Sequence, residues 1–216
     1  MARGMDVTSK PSSAGRTKGY YARLVALMGA GTAAAFTTST LMWEGNELVG
    51  YRDIAGIATA CGGVTGHGIE VGRRYTPAEC DEMNAREAVR HTEGVLACTP
   101  TAQGYQLRAF ADLAYNAGIG GFCGSSIRRK FNAGQLVAAC RGLLAWDKAT
   151  FDAAGAANQR RHGQTCEPSR SRPGKFLCTV RGLTRRRTYS TEVCLTGLLP
   201  DRTPENLHTR LQAVLR

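Results

Sequence analysis

The chain has 216 residues, room for one ordinary domain with a tail or for two small ones. Apolar residues make up 43% of it, which excludes disorder throughout. Lys and Arg number 28 against 17 acids, a net charge of +11, so its surroundings are expected to be polyanionic: nucleic acid, an anionic membrane face or a bacterial wall.

Residues 1–23 carry Arg3, Lys10, Arg16, Lys18 and Arg23 against a single acid, Asp6. Residues 24–43 then run without a charge. At about 1.5 Å per residue, a helix of that length just spans a hydrocarbon core of roughly 30 Å. Ala, Gly, Thr and Ser dilute Leu24, Val25, Leu27, Met28, Phe36 and Leu41, so the segment is only weakly hydrophobic. The basic flank is expected to stay in the cytoplasm, placing everything after Trp43 outside it. Three readings agree on export: a permanent anchor, a signal peptide cleaved near Ala33, Ala34 and Ala35, and a signal-anchor that inserts but holds poorly. A fourth is an Ala-rich helix buried in a soluble domain.

Next come Trp43, Glu44 and Gly45, then Tyr51, Arg52 and Asp53, then Thr59. Glu44 is expected where a helix ends, held against apolar surface by Trp43. Such burial disfavours the carboxylate, as a general acid at neutral pH requires. Asp53 falls among Gly50, Gly56, Gly62, Gly63, Gly66 and Gly68, interleaved with Tyr51, Ile54, Ile57 and Val64, a pattern of short twisted hairpins. A helix-borne acid facing a hairpin-borne carboxylate is the arrangement glycoside hydrolysis uses. On spacing alone, two solvated surface carboxylates explain the pair better.

Cysteines stand at 61, 80, 98, 123, 140, 166, 178 and 194. No two have the spacing of a zinc knuckle or a thioredoxin motif, so an oxidising compartment with disulfides fits better than metal binding. Eight cysteines allow 105 pairings, and sequence does not choose one.

Glu44, Asp53 and Thr59, separated by eight and then five residues, resemble the catalytic motif of the phage lysozyme family of glycoside hydrolases. Residues 75–80 resemble that family's next helix start, with Thr76 as N-cap, Pro77 in the first turn and Glu79 closing a capping box. Residues 109–118 are similar to its central helix, 125–134 to the following segment, and Gly182 to Arg187 with Glu192 and Cys194 to its closing motif. With the weak apolar leader in front, the chain most resembles the signal-anchor-release endolysins of phages infecting Gram-negative bacteria.

The resemblance implies an α+β, lysozyme-like fold: a small β-hairpin lobe near 44–75 and a mainly helical lobe with a cleft between, preceded by an N-terminal membrane-export helix. It divides the chain into a basic cytoplasmic tail (1–23), a signal-anchor segment (24–43), a catalytic domain (44–195) and a C-terminal amphipathic tail (196–216). It makes Glu44 the general acid and gives Asp53 and Thr59 the attacking water, an inverting arrangement with carboxyls roughly 6.5–9.5 Å apart. The substrate it implies is the β-1,4 bond between N-acetylmuramic acid and N-acetylglucosamine in peptidoglycan, with no cofactor and no metal. The chain is expected to act as a monomer, at the host inner membrane facing the periplasm and then released into it. The same chemistry behind a cleaved signal peptide, a lytic transglycosylase and a non-catalytic wall-binding protein are the alternatives.

Several features depart from the family or stay ambiguous. Many relatives carry an aromatic and a His where this chain has Gly62 and Val64, and His67 comes three residues later. Residues 147–181 exceed the family's usual connection and hold Arg160, Arg161, His162, Arg170, Arg172, Lys175 and Arg181. They read as a surface insertion closed by a Cys166–Cys178 bridge, either binding anionic wall polymer or lipopolysaccharide or simply solvated. Arg185, Arg186 and Arg187 lack interleaved aromatics, so structural ion pairs are expected there rather than nucleic acid. Asn116 is read either as a sugar contact or as a cap on backbone groups. Some anchored endolysins are freed by a thiol from the membrane segment, but residues 24–43 contain no Cys. Activation by escape from the bilayer and refolding around Glu44 is expected instead. After Cys194, Thr203, Pro204 and Glu205 are expected to open a short helix with Leu207, Leu211, Val214 and Leu215 on one face.

Overall fold

A computed structural model describes residues 12–53, 56–66 and 68–200, together with Glu205 and Thr209. His67, the basic residues Arg3 and Lys10, and the apolar face expected from Leu207 onward lie outside the described residues. Packing separates two units, Met1–Arg90 and His91–Arg216.

In the first unit, α1 (Ser13–Met28) starts where the Ser12 side chain accepts a hydrogen bond from Gly15 N at 3.2 Å. α2 (Ala30–Glu44) follows at a bend of 116°. The break falls at Gly29, whose φ of +82° is a conformation glycine adopts without steric penalty. The uncharged stretch 24–43 is therefore shared between two helices. Among the described residues no single helix is long and apolar enough to cross a membrane, although the bent pair together passes that test of length and composition. Leu24 and Phe36 are fully buried, and Met28, Ala33, Ser39 and Thr40 nearly so. In this conformation part of the run supplies core.

Polar contacts tie α1 to α3 (Pro77–Cys98). Arg16 Nε meets Glu82 Oε1 at 2.5 Å, Ser13 donates to the same carboxylate, and the Tyr21 hydroxyl donates to Asp81. Burial, reinforced by the bond to Asp81, pushes the Tyr21 phenol well above its ordinary pKa. The start of α3 forms the expected capping box. Thr76 N donates to Glu79 Oε2 at 2.8 Å, and Glu79 N donates back to Thr76 Oγ1 at 3.2 Å.

Between α2 and α3 lies an antiparallel sheet of β1 (Glu47–Arg52), β2 (Ala58–Cys61) and β3 (Val64–Thr65), in that order. The glycine-punctuated hairpins expected from the sequence are these. Ala60, Cys61, Tyr75 and Cys80 form a small core beneath it, with Leu48, Ile69 and Met83 packed against them. The Cys61–Cys80 disulfide joins the end of β2 to the first turn of α3.

The second unit is mainly helical: the end of α3, then α4 (Gly104–Ala117), α5 (Ile119–Gly124), α6 (Ser126–Asn132), α7 (Leu136–Arg141), a 3₁₀ turn (Gly142–Trp146) and α9 (Arg181–Thr196). Phe110 stacks at 5.3 Å on Phe122 and meets Phe131 edge-on at 5.2 Å, within a core that includes Leu107, Leu113, Ile127 and Leu143. Cys98–Cys123 and Cys140–Cys194 staple it. Asp112 is buried and paired with Arg186 Nη2 at 2.9 Å and Arg187 Nη1 at 3.3 Å, and Ser190 Oγ donates to it at 2.7 Å. Two of the three consecutive arginines are thus internal partners of one carboxylate; Arg185 is exposed.

Residues 147–181, read from the sequence as a surface insertion, fold into regular structure. β4 (Lys148–Phe151), β5 (Cys166–Pro168) and β6 (Phe176–Thr179) form a second antiparallel sheet in the order β4-β6-β5, with α8 (Ala153–Arg161) between β4 and β5. The expected Cys166–Cys178 bridge is present, between residues directly opposite in the β5–β6 register. It pins strands too short to hold register alone.

Candidate active site

Glu44 is the last residue of α2. Gly45 ends the helix with a φ of +73°, and its N–H closes on Leu41 O at 3.0 Å. The Glu44 side chain is half-buried and lies against the β2–β3 turn. A Cβ at Gly63 would sit 2.9 Å from Glu44 Oε2, so only glycine leaves room for the carboxylate where it stands. The turn is held from the other side by Asn84 of α3, whose Oδ1 accepts from Gly62 N at 3.1 Å.

Asp53 follows β1 directly, and Thr59 is the second residue of β2. The backbone of Ile57 joins them. Its N–H donates to Asp53 Oδ1 at 2.9 Å, and its carbonyl accepts both from Asp53 N at 3.0 Å and from Thr59 Oγ1 at 3.1 Å. Asp53 is thereby fixed in orientation. Thr59 is 3% exposed and spends its hydroxyl proton on Ile57, which leaves its oxygen as an acceptor.

Tyr51 links these parts. It stands directly opposite Thr59 in the β1–β2 register, so both side chains share a face of the sheet. Its phenol is raised above the ordinary tyrosine value by burial, and further by the charges of Asp53, Glu44 and Glu47. That hydroxyl stays protonated at neutral pH. Glu44, Asp53 and Thr59 all lie in the first of the two units.

Asn116 lies elsewhere. It is exposed in the last turn of α4, in the second unit, and its Oδ1 accepts from Arg187 Nη2. Among the described residues no cluster of His, Cys, Asp or Glu is arranged to hold a metal ion. Sequence reasoning missed Ile57, Gly63 and Asn84. The pair Gly62 and Gly63 three residues after Thr59 was the available signal for the first approach to Glu44; Ile57 acts through backbone atoms and gave none.

The family profile described as phage lysozyme matches residues 41–164. The SAR-endolysin of Pseudomonas phage phiKMV is 34% identical over 128 residues, covering 58% of this chain and 78% of that protein. The SAR-endolysin of Enterobacteria phage P21 is 34% identical over 104 residues, and there the chain covers 63% of the relative's length. Among solved structures, the muramidase domain of SpmX from Asticaccaulis excentricus superposes with a TM-score of 0.59 at 20% identity, covering 74% of this chain and 95% of that one. At that identity the likeness speaks for the fold alone, and the fold is lysozyme-like. The chain belongs to the phage lysozyme family and is a glycoside hydrolase of the lysozyme class.

Proposed function

We propose that the chain hydrolyses the β-1,4 bond between N-acetylmuramic acid and N-acetylglucosamine in peptidoglycan, lysing the bacterial host. Glu44 gives its proton to the glycosidic oxygen as the bond from that oxygen to the anomeric carbon breaks. A water held between Asp53 and Thr59 attacks the anomeric carbon from the opposite face and releases its proton to Asp53, inverting the configuration. The observation that carries this reading is the Ile57 backbone. It fixes the Asp53 carboxylate and turns the Thr59 oxygen into an acceptor on the same stretch of chain. A water with one proton toward each of those oxygens keeps a lone pair for attack.

In this reading residues 44–195 form the lysozyme domain, with 147–181 inserted, 1–23 as the basic tail and 196–216 as a C-terminal tail. Asn116, positioned by Arg187, is the sugar contact from the helical part. The chain works as a monomer. Residues 24–43 lodge it in the inner membrane facing the periplasm and then release it, and residues 147–181 give it an anionic partner in wall polymer or lipopolysaccharide. The two relatives named as SAR-endolysins and the composition of the leader support delivery of this kind.

The test is release of reducing sugar from purified peptidoglycan by the full oxidised chain, beside Glu44→Gln and Asp53→Asn. The full chain is required because Leu24 and Phe36 of the leader are buried in the fold. Loss of release in both variants is expected. An active Asp53→Asn would point to transglycosylation, which needs no base for water, and an active Glu44→Gln would mean a different acid.

A further inference from the structure

The connection between β5 and β6, residues 169–175, reads Ser169, Arg170, Ser171, Arg172, Pro173, Gly174, Lys175. It lies beyond residue 164, where the match to the family profile ends. Its backbone is stiff. Lys175 N donates to Arg172 O at 3.1 Å across a turn in which Pro173 fixes one φ and Gly174 takes the next at +76°. Ser169 N donates to Lys175 O at 2.8 Å, extending the β5–β6 ladder, and Cys166–Cys178 closes the base.

Arg170, Arg172 and Lys175 project from this tip and are exposed. Among the described residues neither Arg172 nor Lys175 is in an ion pair. The nearest acid in sequence, Glu167, is engaged by Lys148 Nζ at 2.9 Å. That bond, with smaller help from the charge of Arg170, holds the Glu167 carboxyl below its usual range. The tip carries no aromatic side chain on which a nucleic-acid base would stack. In the same conformation the leader's Leu24 and Phe36 are fully buried, so those side chains are withdrawn from lipid when the chain is folded.

We infer that the β5–β6 tip is a docking surface for a lipid bilayer bearing net-anionic phosphate headgroups, and that it holds the folded chain to that surface by charge alone. This narrows the anionic partner proposed above to anionic lipid and does not depend on the assignment of the hydrolytic residues. A turn already fixed in shape loses little freedom on contact. Three such side chains, each favouring an anionic surface by about a factor of five, together raise partitioning by roughly two orders of magnitude.

The experiment is co-sedimentation of the full oxidised chain with phosphatidylcholine vesicles containing phosphatidylglycerol, and with phosphatidylcholine alone. It is run at about 0.1 M salt, where charge acts over about 10 Å, and again at about 1 M, where it acts over about 3 Å. Binding to the anionic vesicles only, lost at high salt and reduced about a hundredfold in the variant Arg170→Gln, Arg172→Gln, Lys175→Gln, is expected. The variant's thermal midpoint should match the parent's, which certifies its fold. Equal binding by parent and variant, or binding to phosphatidylcholine alone, would assign the membrane contact to the leader and overturn the inference. Tighter capture of duplex DNA than of anionic vesicles at equal salt would overturn it too.

Discussion

Replacing Gly63 with alanine separates the geometry of the acid from the stability of the hairpin. The added Cβ would lie 2.9 Å from Glu44 Oε2, 3.3 Å from its Cδ and 3.4 Å from its Cβ. Comfortable contacts to a methyl lie near about 3.5–4.0 Å, so the carboxylate has to move by roughly half an ångström or more. A reacting group misplaced by about 1 Å loses on the order of a hundredfold in rate, which puts the expected fall in kcat between tenfold and a hundredfold. The backbone adds a second effect, because φ at Gly63 is +75°. Alanine there costs about 1–2 kcal/mol. For a chain of this size that lowers the thermal midpoint by about 2–8 °C. Gly72→Ala is the matched control: its φ is +86° and nothing lies within 4 Å of the added Cβ. Both variants should lose similar stability in thermal unfolding, while only Gly63→Ala should lose kcat in sugar release, with KM little changed. If the two variants turn over alike, Gly63 does not place the acid and the reasoning fails.

Asp112→Asn removes the buried carboxylate that Arg186 and Arg187 share, a loss of about 3–5 kcal/mol that chemical denaturation would read. A loss under about 1 kcal/mol would place the pair in the class of exposed bridges. Burial works to raise the Asp112 pKa, but the charges and hydrogen bonds of Arg186, with help from Arg187 and Ser190, more than offset it and hold the group below its ordinary value. A folded pKa below the unfolded value of about 3.9 means that the unfolded chain binds more protons in the interval between them. The stabilisation is complete above the unfolded pKa and drains away as pH falls through the folded one. Thermal midpoints followed from neutral to strongly acid pH should therefore show a drop below about pH 4 that is shallower in Asp112→Asn. The Cys61–Cys80 bridge spans 19 residues and is worth about 3 kcal/mol by chain entropy. It also ends β2 at Cys61, the one non-glycine residue with positive φ among those described, at +57°. The double variant Cys61→Ser, Cys80→Ser should lose both thermal stability and sugar release. Cys61→Gly with Cys80→Ser, which relieves the backbone, should recover part of each; full activity in the first variant would show that the hairpin holds its place without the bridge.

The parts legible in the sequence were those carried by side-chain type at fixed local spacing. Thr76, Pro77 and Glu79 specify a helix start by chemistry confined to one turn, and the structure contains it. Trp43, Glu44 and Gly45 mark a helix end because a glycine past the last turn is the usual terminator. Cys166 and Cys178 were paired correctly because few residues separate them within one insertion. The partner of Cys61 was out of reach, since it depends on how β2 meets α3, a tertiary fact. Residues 147–181 hid their sheet because strands of three and four residues are too short to show a period of two. The linking role of Ile57 belongs to its N–H and carbonyl, which every residue except proline possesses.

The break at Gly29 has the most bearing on function, because it sets what the leader does for the site. α2 is one helix of 15 residues that begins inside the uncharged run and ends on Glu44. Phe36 and Ala33, buried in the fold, and Glu44, set against Gly63, are therefore parts of a single rigid element. Whatever draws Phe36 and Ala33 out of the fold draws Glu44 away from the turn that receives it. On the proposed reading a bilayer holds residues 24–43 as one uninterrupted helix with no place for the bend at Gly29, so the inserted and the folded conformations exclude each other. On the proposed reading this exclusion is the control: the membrane-held chain lacks a placed acid, and the folded chain acquires one as its leader becomes core. The mixed composition of the leader follows from the same requirement. Gly29 permits the bend, the alanines let helices approach closely, and Leu24 and Phe36 supply buried area in the fold. On the proposed reading, each substitution toward a greasier run favours the bilayer at the expense of the fold that sets Glu44 against Gly63.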